Sequence, residues 1–393
     1  MTFRRNISSL LVSDMLHWFS YGIYYAYITL YMYVGGLDYV TIGIYNSFGF
    51  FSYTLGNIIG GILTDKIGRK RSLLIGRMIL PLVFIIIVFM KVEYVFLAFF
   101  ISGLGNSITS IAREAFISEH LPKRKRGFYY NLINSIAGLA YGMGSYYASR
   151  FVAEKGTLVG FRESCITAIF LMTSASFIIL LIREVRITKE EKRKIPFREL
   201  FERKTLILTS FVVVFFVGLE FIWTYISIYA VERLGITEEN WGIIQALMFL
   251  VNTILSPILG KISDKIPIRI SLYIGSACVM IFSLLLAFPL SRGSVYFTAL
   301  ILIDIIGEGF LWPAFFKFEI MLTEPEKRGK IFGVVGAITE TIRGVLSPVI
   351  GKIYEQSKSM PFASAIGFFL ALLIIGDTTQ RQMKHAPKEK LVR

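Results

Sequence analysis

The chain has 393 residues, of which 54% are hydrophobic and 15% aromatic, and only 18% carry a charge. A soluble domain averages about 25% charged residues, and here the charges are clustered between apolar runs of about 20 residues, the length that an α-helix needs to cross a bilayer. This pattern excludes a soluble globular protein. The net charge of +15 does not predict a nucleic-acid partner, because most Lys and Arg residues fall on the N-terminus, every second loop and the C-terminal tail, as in the cytoplasmic loops of membrane proteins.

The apolar runs predict an all-α membrane protein with twelve membrane-spanning helices and both termini in the cytoplasm. In chain order they cover 7–33, 39–63, 72–91, 94–118, 128–150, 162–182, 205–231, 238–262, 270–289, 294–321, 331–354 and 361–378. They divide the chain into an N-terminal six-helix bundle (1–182), a cytoplasmic linker (183–204), a C-terminal six-helix bundle (205–380) and a cytoplasmic tail (381–393). In the linker, Pro196, Phe197, Leu200 and Phe201 predict a short helix on the membrane surface.

The two halves repeat each other in sequence. Tyr27–Tyr31 (YITLY) matches Tyr225–Tyr229 (YISIY), and Gly61–Lys66 (GILTDK) matches Gly260–Lys265 (GKISDK). These landmarks follow in the same order in both halves. Six spans per half give both halves the same orientation, so we expect them to be related by an axis along the membrane normal.

The turn after the second run carries a specific motif, Gly61-Ile62-Leu63-Thr64-Asp65-Lys66-Ile67-Gly68-Arg69-Lys70-Arg71. Gly61 is expected to let a neighbouring helix approach closely, and Gly68 to permit a left-handed turn. Asp65 can accept a hydrogen bond from Arg69 or from a helix N-terminus.

The motif closely resembles the loop signature of the major facilitator superfamily (MFS), and a second copy with Gly260 and Asp264 strengthens the resemblance. That copy departs from the pattern, since Pro267 replaces the turn glycine and Ile268 the arginine. In the fifth run, Gly138, Gly142 and Gly144 partly resemble the glycine motif of twelve-span drug:proton antiporters, although Met143 replaces its proline. The resemblance implies two six-helix bundles that rock around a site at the bilayer midplane.

Ionisable residues inside apolar runs are costly and therefore indicate function. They are Asp14 and His17 in the first run, Arg113 and Glu114 in the fourth, Glu220 in the seventh, and Asp304, Glu308 and Lys317 in the tenth. The resemblance implies that these four spans line a central cavity. The outer spans, numbers three, six, nine and twelve, are expected to have almost no charge in their interiors.

Depth along the helices selects candidates for a proton and substrate cavity: Asp14, His17, Tyr21, Tyr25, Glu220, Asp304 and Glu308. Glu220 and Glu308 fall near the midplane with no base within one helical turn in sequence, and hydrocarbon favours the neutral form of such a carboxyl. Each could therefore exchange a proton. The alternative is a structural ion pair buried between helices.

A second set of residues predicts a cytoplasmic gate with its loop motif. Its members are Gly61, Asp65, Gly68, Arg69, Arg113, Glu114, Gly260, Asp264 and Lys317. We expect Arg113, Glu114 and Lys317 to pair with Asp65, Arg69 or each other. Glu340 and Arg343, three residues apart, are expected to form a local pair.

The resemblance implies a transporter of the plasma membrane that is not an enzyme. No phosphate-binding glycine loop occurs, and the three histidines are scattered, so neither ATP, another cofactor nor a metal is expected. The first expectation is a monomeric, proton-coupled exporter of amphipathic or cationic small molecules, with protons and the lipid bilayer as its other partners. Two alternatives are a proton symporter for a sugar or other metabolite and a membrane sensor with a transporter-like fold.

Overall fold

The structure, a computed structural model, describes residues 2–120, 126–183, 202–324 and 327–385. Within these ranges the chain is helical and contains no β-strand, as predicted. The N-terminal half contains α1 (Thr2–Val34), α2 (Tyr39–Lys66), α3 (Arg69–Ile79), α4 (Pro81–Phe89), a 3₁₀ turn (Val92–Tyr94), α5 (Val95–His120) and α6 (Arg126–Ile179). The C-terminal half contains α7 (Arg203–Trp223), α8 (Ile226–Glu232), α9 (Glu238–Lys265), α10 (Ile268–Ala287), α11 (Ser294–Leu322), α12 (Arg328–Gln356) and α13 (Met360–His385).

Nine helical stretches of the described chain are long and apolar enough to cross a membrane, which confirms a multi-pass membrane protein. One stretch joins α3 to α4 across Pro81, which has no N–H to donate, and another joins α7 to α8 across Tyr225. α1 and α2 are not among the nine. The count of twelve spans therefore stays a prediction.

The long helix α6 consists of two antiparallel arms. Gly156 has a φ of 73°, the left-handed conformation that glycine adopts without strain. Tyr147 and Thr167, on either side of this turn, are hydrogen bonded at 2.8 Å, so the chain reverses direction there. The separate apolar runs predicted at 128–150 and 162–182 correspond to these arms.

The helices of each half pack mainly on one another. In the N-terminal half α1 packs on α6, and α2 and α3 pack on α5. In the C-terminal half α10 packs on α11 and α13, and α7 packs on α12 and α13. Two seams join the halves, α2 with α12 and α6 with α9. The predicted surface helix of the linker lies outside the described residues.

Hydrogen bonds also join the two halves, between α1 and α9 on one side of the molecule and between α2 and α12. Trp241 Nε1 donates to the Ala26 carbonyl at 2.6 Å, and the Tyr27 hydroxyl donates to the Glu238 carbonyl at 2.9 Å. Between α2 and α12, Ser47 Oγ donates to the Gly344 carbonyl at 2.5 Å. We call this side, where α1 and α8 end and α2 and α9 begin, the hairpin side, and the other the terminal side.

Candidate functional site

A cavity of about 460 Å³ lies between the two halves. α1, α2 and α5 form its wall in the N-terminal half, and α7 and α12 form its wall in the C-terminal half. Its lining is aromatic and polar, with Tyr24, Tyr25, Ile28, Thr29, Asn46, Gly49, Phe50, Tyr53, Phe99, Ser102, Gly103, Asn106, Glu220, Trp223, Thr224, Glu340 and Arg343. Among the predicted cavity residues, Tyr25 and Glu220 line this space.

A three-residue ion cluster forms the charged part of the cavity wall. Arg343 Nη2 lies 2.7 Å from Glu220 Oε2, and Arg343 Nη1 lies 3.0 Å from Glu340 Oε1. The predicted local pair of Glu340 and Arg343 is thus present, but Glu220 is not isolated. The sequence predicted no basic partner for Glu220, because the arginine that pairs with it belongs to α12, which is distant in sequence. Thr224 Oγ1 also donates to Glu220 Oε1 at 2.7 Å.

Tyr21 and His17 lie behind the cavity wall. The Tyr21 ring is buried, and its hydroxyl is 3.0 Å from Ser102 Oγ and accepts a hydrogen bond from Asn106. The His17 ring is buried against Tyr21 with 4.7 Å between centroids. Its Nδ1 has no partner among the described residues. Both residues are therefore placed to support the wall, and neither touches the cavity in this conformation.

Asp14 lies in a buried network away from the cavity. Its carboxylate binds Arg77 of α3 and, at 2.7 Å, Nε of Arg113 of α5. Arg77 is fully buried and also donates to the Ser13 carbonyl at 2.9 Å, so the third span, expected to have almost no interior charge, carries one buried arginine. An arginine is stable here because the carboxylate and the carbonyl compensate for its desolvation. Glu114, 3.0 Å from Arg113, extends the network toward solvent.

Asp304 and Glu308 lie one turn apart on α11, and neither lines the cavity. Asp304 is completely buried, and neither of its carboxylate oxygens has a hydrogen-bond partner among the described residues. Glu308 is half-buried. Position along the helix did not reveal the direction in which α11 turns these carboxyls.

The loop motif on the terminal side is partly as predicted. Gly68 has a φ of 94°, which confirms the left-handed turn, and Arg69 Nη1 donates to the Thr64 carbonyl at 3.3 Å. The close approach expected at Gly61 is wrong in this conformation, since a Cβ there would meet no described atom within 4 Å. The preceding residue Gly60 faces α5 instead, with its added Cβ 3.0 Å from Cα of Ile108.

The second copy of the motif is held by Lys317. Its Nζ lies 3.1 Å from Asp264 Oδ1 and donates to the Ser263 carbonyl at 2.8 Å, tying α11 to α9. A Cβ at Gly260 would meet no described atom within 4 Å. Lys317 thus pairs inside its own half, and Arg113 pairs with Asp14 and also, as expected, with Glu114.

Sequence reasoning missed a cluster that joins the two halves on the hairpin side. Tyr33 donates a hydrogen bond to the Glu232 carboxylate, and the Tyr39 hydroxyl lies 3.3 Å from Glu232 Oε2. Lys358 Nζ stands 3.4 Å from the centroid of the Tyr39 ring and 3.9 Å from Glu232. Burial lowers the pKa of the Lys358 ammonium, and Glu232 opposes that shift. We call these four residues the hairpin-side latch, since Tyr33 and Tyr39 belong to one half and Glu232 and Lys358 to the other.

A polar, aromatic cavity between two helical halves of a multi-pass membrane protein is the arrangement of a membrane carrier. The sequence profile of the Major Facilitator Superfamily matches residues 10–348, and the chain belongs to this family. Membership makes it a transporter of a cell membrane and not an enzyme, as the sequence predicted.

Named relatives agree with this assignment. The chain is 25% identical over 326 residues to the chloramphenicol resistance protein CraA of Acinetobacter baumannii, a match that covers 79% of this chain and 77% of the relative. Its fold resembles that of the nucleoside transporter NupG, with a TM-score of 0.78, 14% identity and coverage of 95% of this chain and 99% of that one. It also resembles tetrameric PepTSo2, with a TM-score of 0.75, 14% identity and coverage of 98% and 100%. At such identities the structural likeness establishes the fold alone.

Proposed function

We propose that this transporter is a proton-coupled carrier that exports an amphipathic, cationic small molecule by alternating access. The observation that carries the proposal is the acidic cluster of Glu220, Glu340 and Arg343 within an aromatic cavity that both halves line. A substrate bound there would contact both halves at once, so their relative movement would expose it to either side of the membrane.

The cluster favours a cation because two carboxylates share one guanidinium. When both glutamates are ionised, one negative charge is left uncompensated. A monocation about 4 Å from it would gain about 4 kcal/mol at an effective dielectric constant of about 20. Tyr25, Tyr53 and Trp223 also line the cavity, and each ring that faces the cation could add about 0.5 to 2 kcal/mol.

We further propose that the chain forms twelve spans in two bundles, is a monomer, and has the terminal side in the cytoplasm. The basic residues that follow every second span support this orientation. The latch then closes the extracellular side. Alternating access requires it to open when the carrier faces outward.

Export is favoured over import by the name of one relative, since CraA is a chloramphenicol resistance protein. The second candidate function is a proton symporter for a polar metabolite. Asn46, Asn106 and Thr29 favour it, because they give the cavity hydrogen-bonding groups that a purely lipophilic cation would not need. Membership of a transporter family favours either carrier over a sensor.

Flux into proteoliposomes would distinguish these candidates, with ethidium as an aromatic monocation. An antiporter would accumulate ethidium in vesicles with an acidic lumen, because protons leaving the lumen drive the cation inward. Protein-free vesicles provide the control for passive entry. Saturable uptake that is lost in the double variant Glu220→Gln, Glu340→Gln is the expected result. Uptake of a neutral metabolite from an acidic exterior, without ethidium flux, would instead establish the symporter.

A further inference from the structure

Asp304 differs from the other buried acids described above. Asp14 and Glu220 each bind a guanidinium, whereas Asp304 is 0% exposed and has neither an ion-pair partner nor a hydrogen bond among the described residues. A carboxylate in that position would have lost its water without any compensating interaction, which is far less favourable than burying the neutral acid.

The surroundings of Asp304 are the interface between α11 and α10. One turn further along, Gly307 packs on α10, where its added Cβ would lie 2.9 Å from Cβ of Cys278. The buried side chains Leu300 and Leu311 share this face of α11. Asp304 is therefore enclosed within the C-terminal half and separate from the cavity between the halves.

Among the described residues, the titratable groups near Asp304 give it no positive charge. Cys278 of α10 and Glu308 of its own helix are its electrostatic neighbours. The other helices that pack on α11 are α9 and α7. On α7, Glu220 forms its ion pair with Arg343. The cations of α7, α9 and α10 sit in terminal-side turns, at Arg203, Lys204, Lys261, Lys265 and Arg269.

We propose that Asp304 is a proton-binding site outside the substrate cavity, and that it holds its proton while the hairpin side is closed. Its ionised form needs water or a cation, so losing the proton requires α10 and α11 to separate at this point. Glu308, four residues away, adds like-charge repulsion that opposes ionisation of both carboxyls together. Protonation would thereby be linked to conformation. A role of Asp304 in coupling transport to protons rests on the proposed function. That Asp304 is protonated does not.

A carbodiimide provides a direct test, because dicyclohexylcarbodiimide modifies carboxyls that are protonated in apolar surroundings. We expect mass spectrometry of the purified wild-type protein to show modification of Asp304 at mildly acidic pH, falling severalfold at alkaline pH. Asp14 and Glu220, held by guanidinium groups, should remain unmodified. An unmodified Asp304 in a preparation where Glu308 reacts would overturn the proposal.

The variant Asp304→Asn separates this inference from the proposed function. The amide resembles the neutral acid, so we expect an unchanged unfolding temperature, normal exchange of ethidium across the membrane and loss of accumulation driven by a pH gradient. Gradient-driven accumulation equal to the wild type would overturn the coupling role. If the wild-type protein itself does not respond to a pH gradient, proton coupling fails as the proposed function, while carbodiimide labelling still decides whether Asp304 is protonated.

Discussion

Arg343 of α12 and Glu220 of α7 form an ion pair of 2.7 Å between residues 123 positions apart. Both belong to the C-terminal half, so the pair does not join the two halves. Arg343 also lies 4.2 Å from the centroid of the Phe50 ring, which belongs to α2 of the N-terminal half. The cluster therefore holds its own charges together while its contact with the other half is a cation–π interaction, which is weaker than an ion pair and easier to break.

The first prediction concerns this ion cluster. Arg343→Met leaves Glu220 and Glu340 without their shared cation. Since Glu220 is 7% exposed, we expect a loss of about 2 to 3 kcal/mol in the free energy of unfolding, below the value for a fully enclosed pair because the cavity admits water. Thermal unfolding in detergent measures the loss.

The double variant Arg343→Met, Glu220→Gln provides the control. It removes one of the stranded carboxylates, so it should recover part of the lost stability. Equal stability of the wild type and Arg343→Met would show that the glutamates are already neutral, contrary to the charged cluster proposed here.

The second prediction concerns Asp14. Asp14→Asn leaves the guanidinium of Arg77, which is 0% exposed, without its anion. We expect a loss of about 3 to 5 kcal/mol in the free energy of unfolding. The matched control is Asp264→Asn on α9, whose carboxylate is 71% exposed beside Lys317 and should contribute less than about 1 kcal/mol.

These outcomes decide between the two interpretations of Asp14 that the sequence left open. A structural anion is required for folding. A proton carrier would accept the amide with little loss of stability and would lose only gradient-driven transport. Wild-type stability of Asp14→Asn would therefore exclude the structural interpretation.

The helices were predictable from the sequence because a run of about 20 apolar residues is typical of a membrane-spanning helix. The local pair of Glu340 and Arg343 was predictable from helical spacing. The partner of Glu220 was not, because pairing between helices depends on their rotation about their own axes. Arg77 was missed for a related reason, since its compensating groups, Asp14 and Ser13, lie on another helix. Sequence depth likewise could not separate Asp304, at a helix interface, from Glu220, in the cavity.

The third prediction concerns topology. We expect Arg124, Lys192 and Arg328 to face the cytoplasm, and Asp38, Lys155 and Arg292 to face the outside. Arg124 and Lys192 lie outside the described residues, so labelling is the direct measurement for them. Single cysteines at the six positions, probed in intact cells with an impermeant maleimide, should fall into two groups. One reversed position in either half would contradict the twelve-span arrangement.

The fourth prediction concerns the hairpin-side latch. Glu232→Gln removes the anion that accepts from Tyr33 and Tyr39 and faces Lys358. Because contacts of this partly exposed kind contribute about 0.5 to 1 kcal/mol, the latch should open about two- to fivefold more often. A cysteine replacing Thr29 in the cavity wall reports the opening through its rate of maleimide labelling from the hairpin side.

The matched control is Glu355→Gln, which breaks the pair with Lys352 on the same stretch of α12 without touching the other half. It should leave the labelling rate unchanged. Burial lowers the pKa of Lys358, so the ammonium discharges at a lower pH than an exposed lysine does. A lysine with a lowered pKa binds its proton less tightly in the latched state than in the open one, so loss of the proton favours the latched state. The contribution of Lys358 should therefore lower the wild-type labelling rate at alkaline pH, once the rate is corrected for ionisation of the reporter thiol. An equal rise in Glu355→Gln and Glu232→Gln at neutral pH would show that the labelling reports general loosening of α12, and the latch would then have no specific role in closing this side.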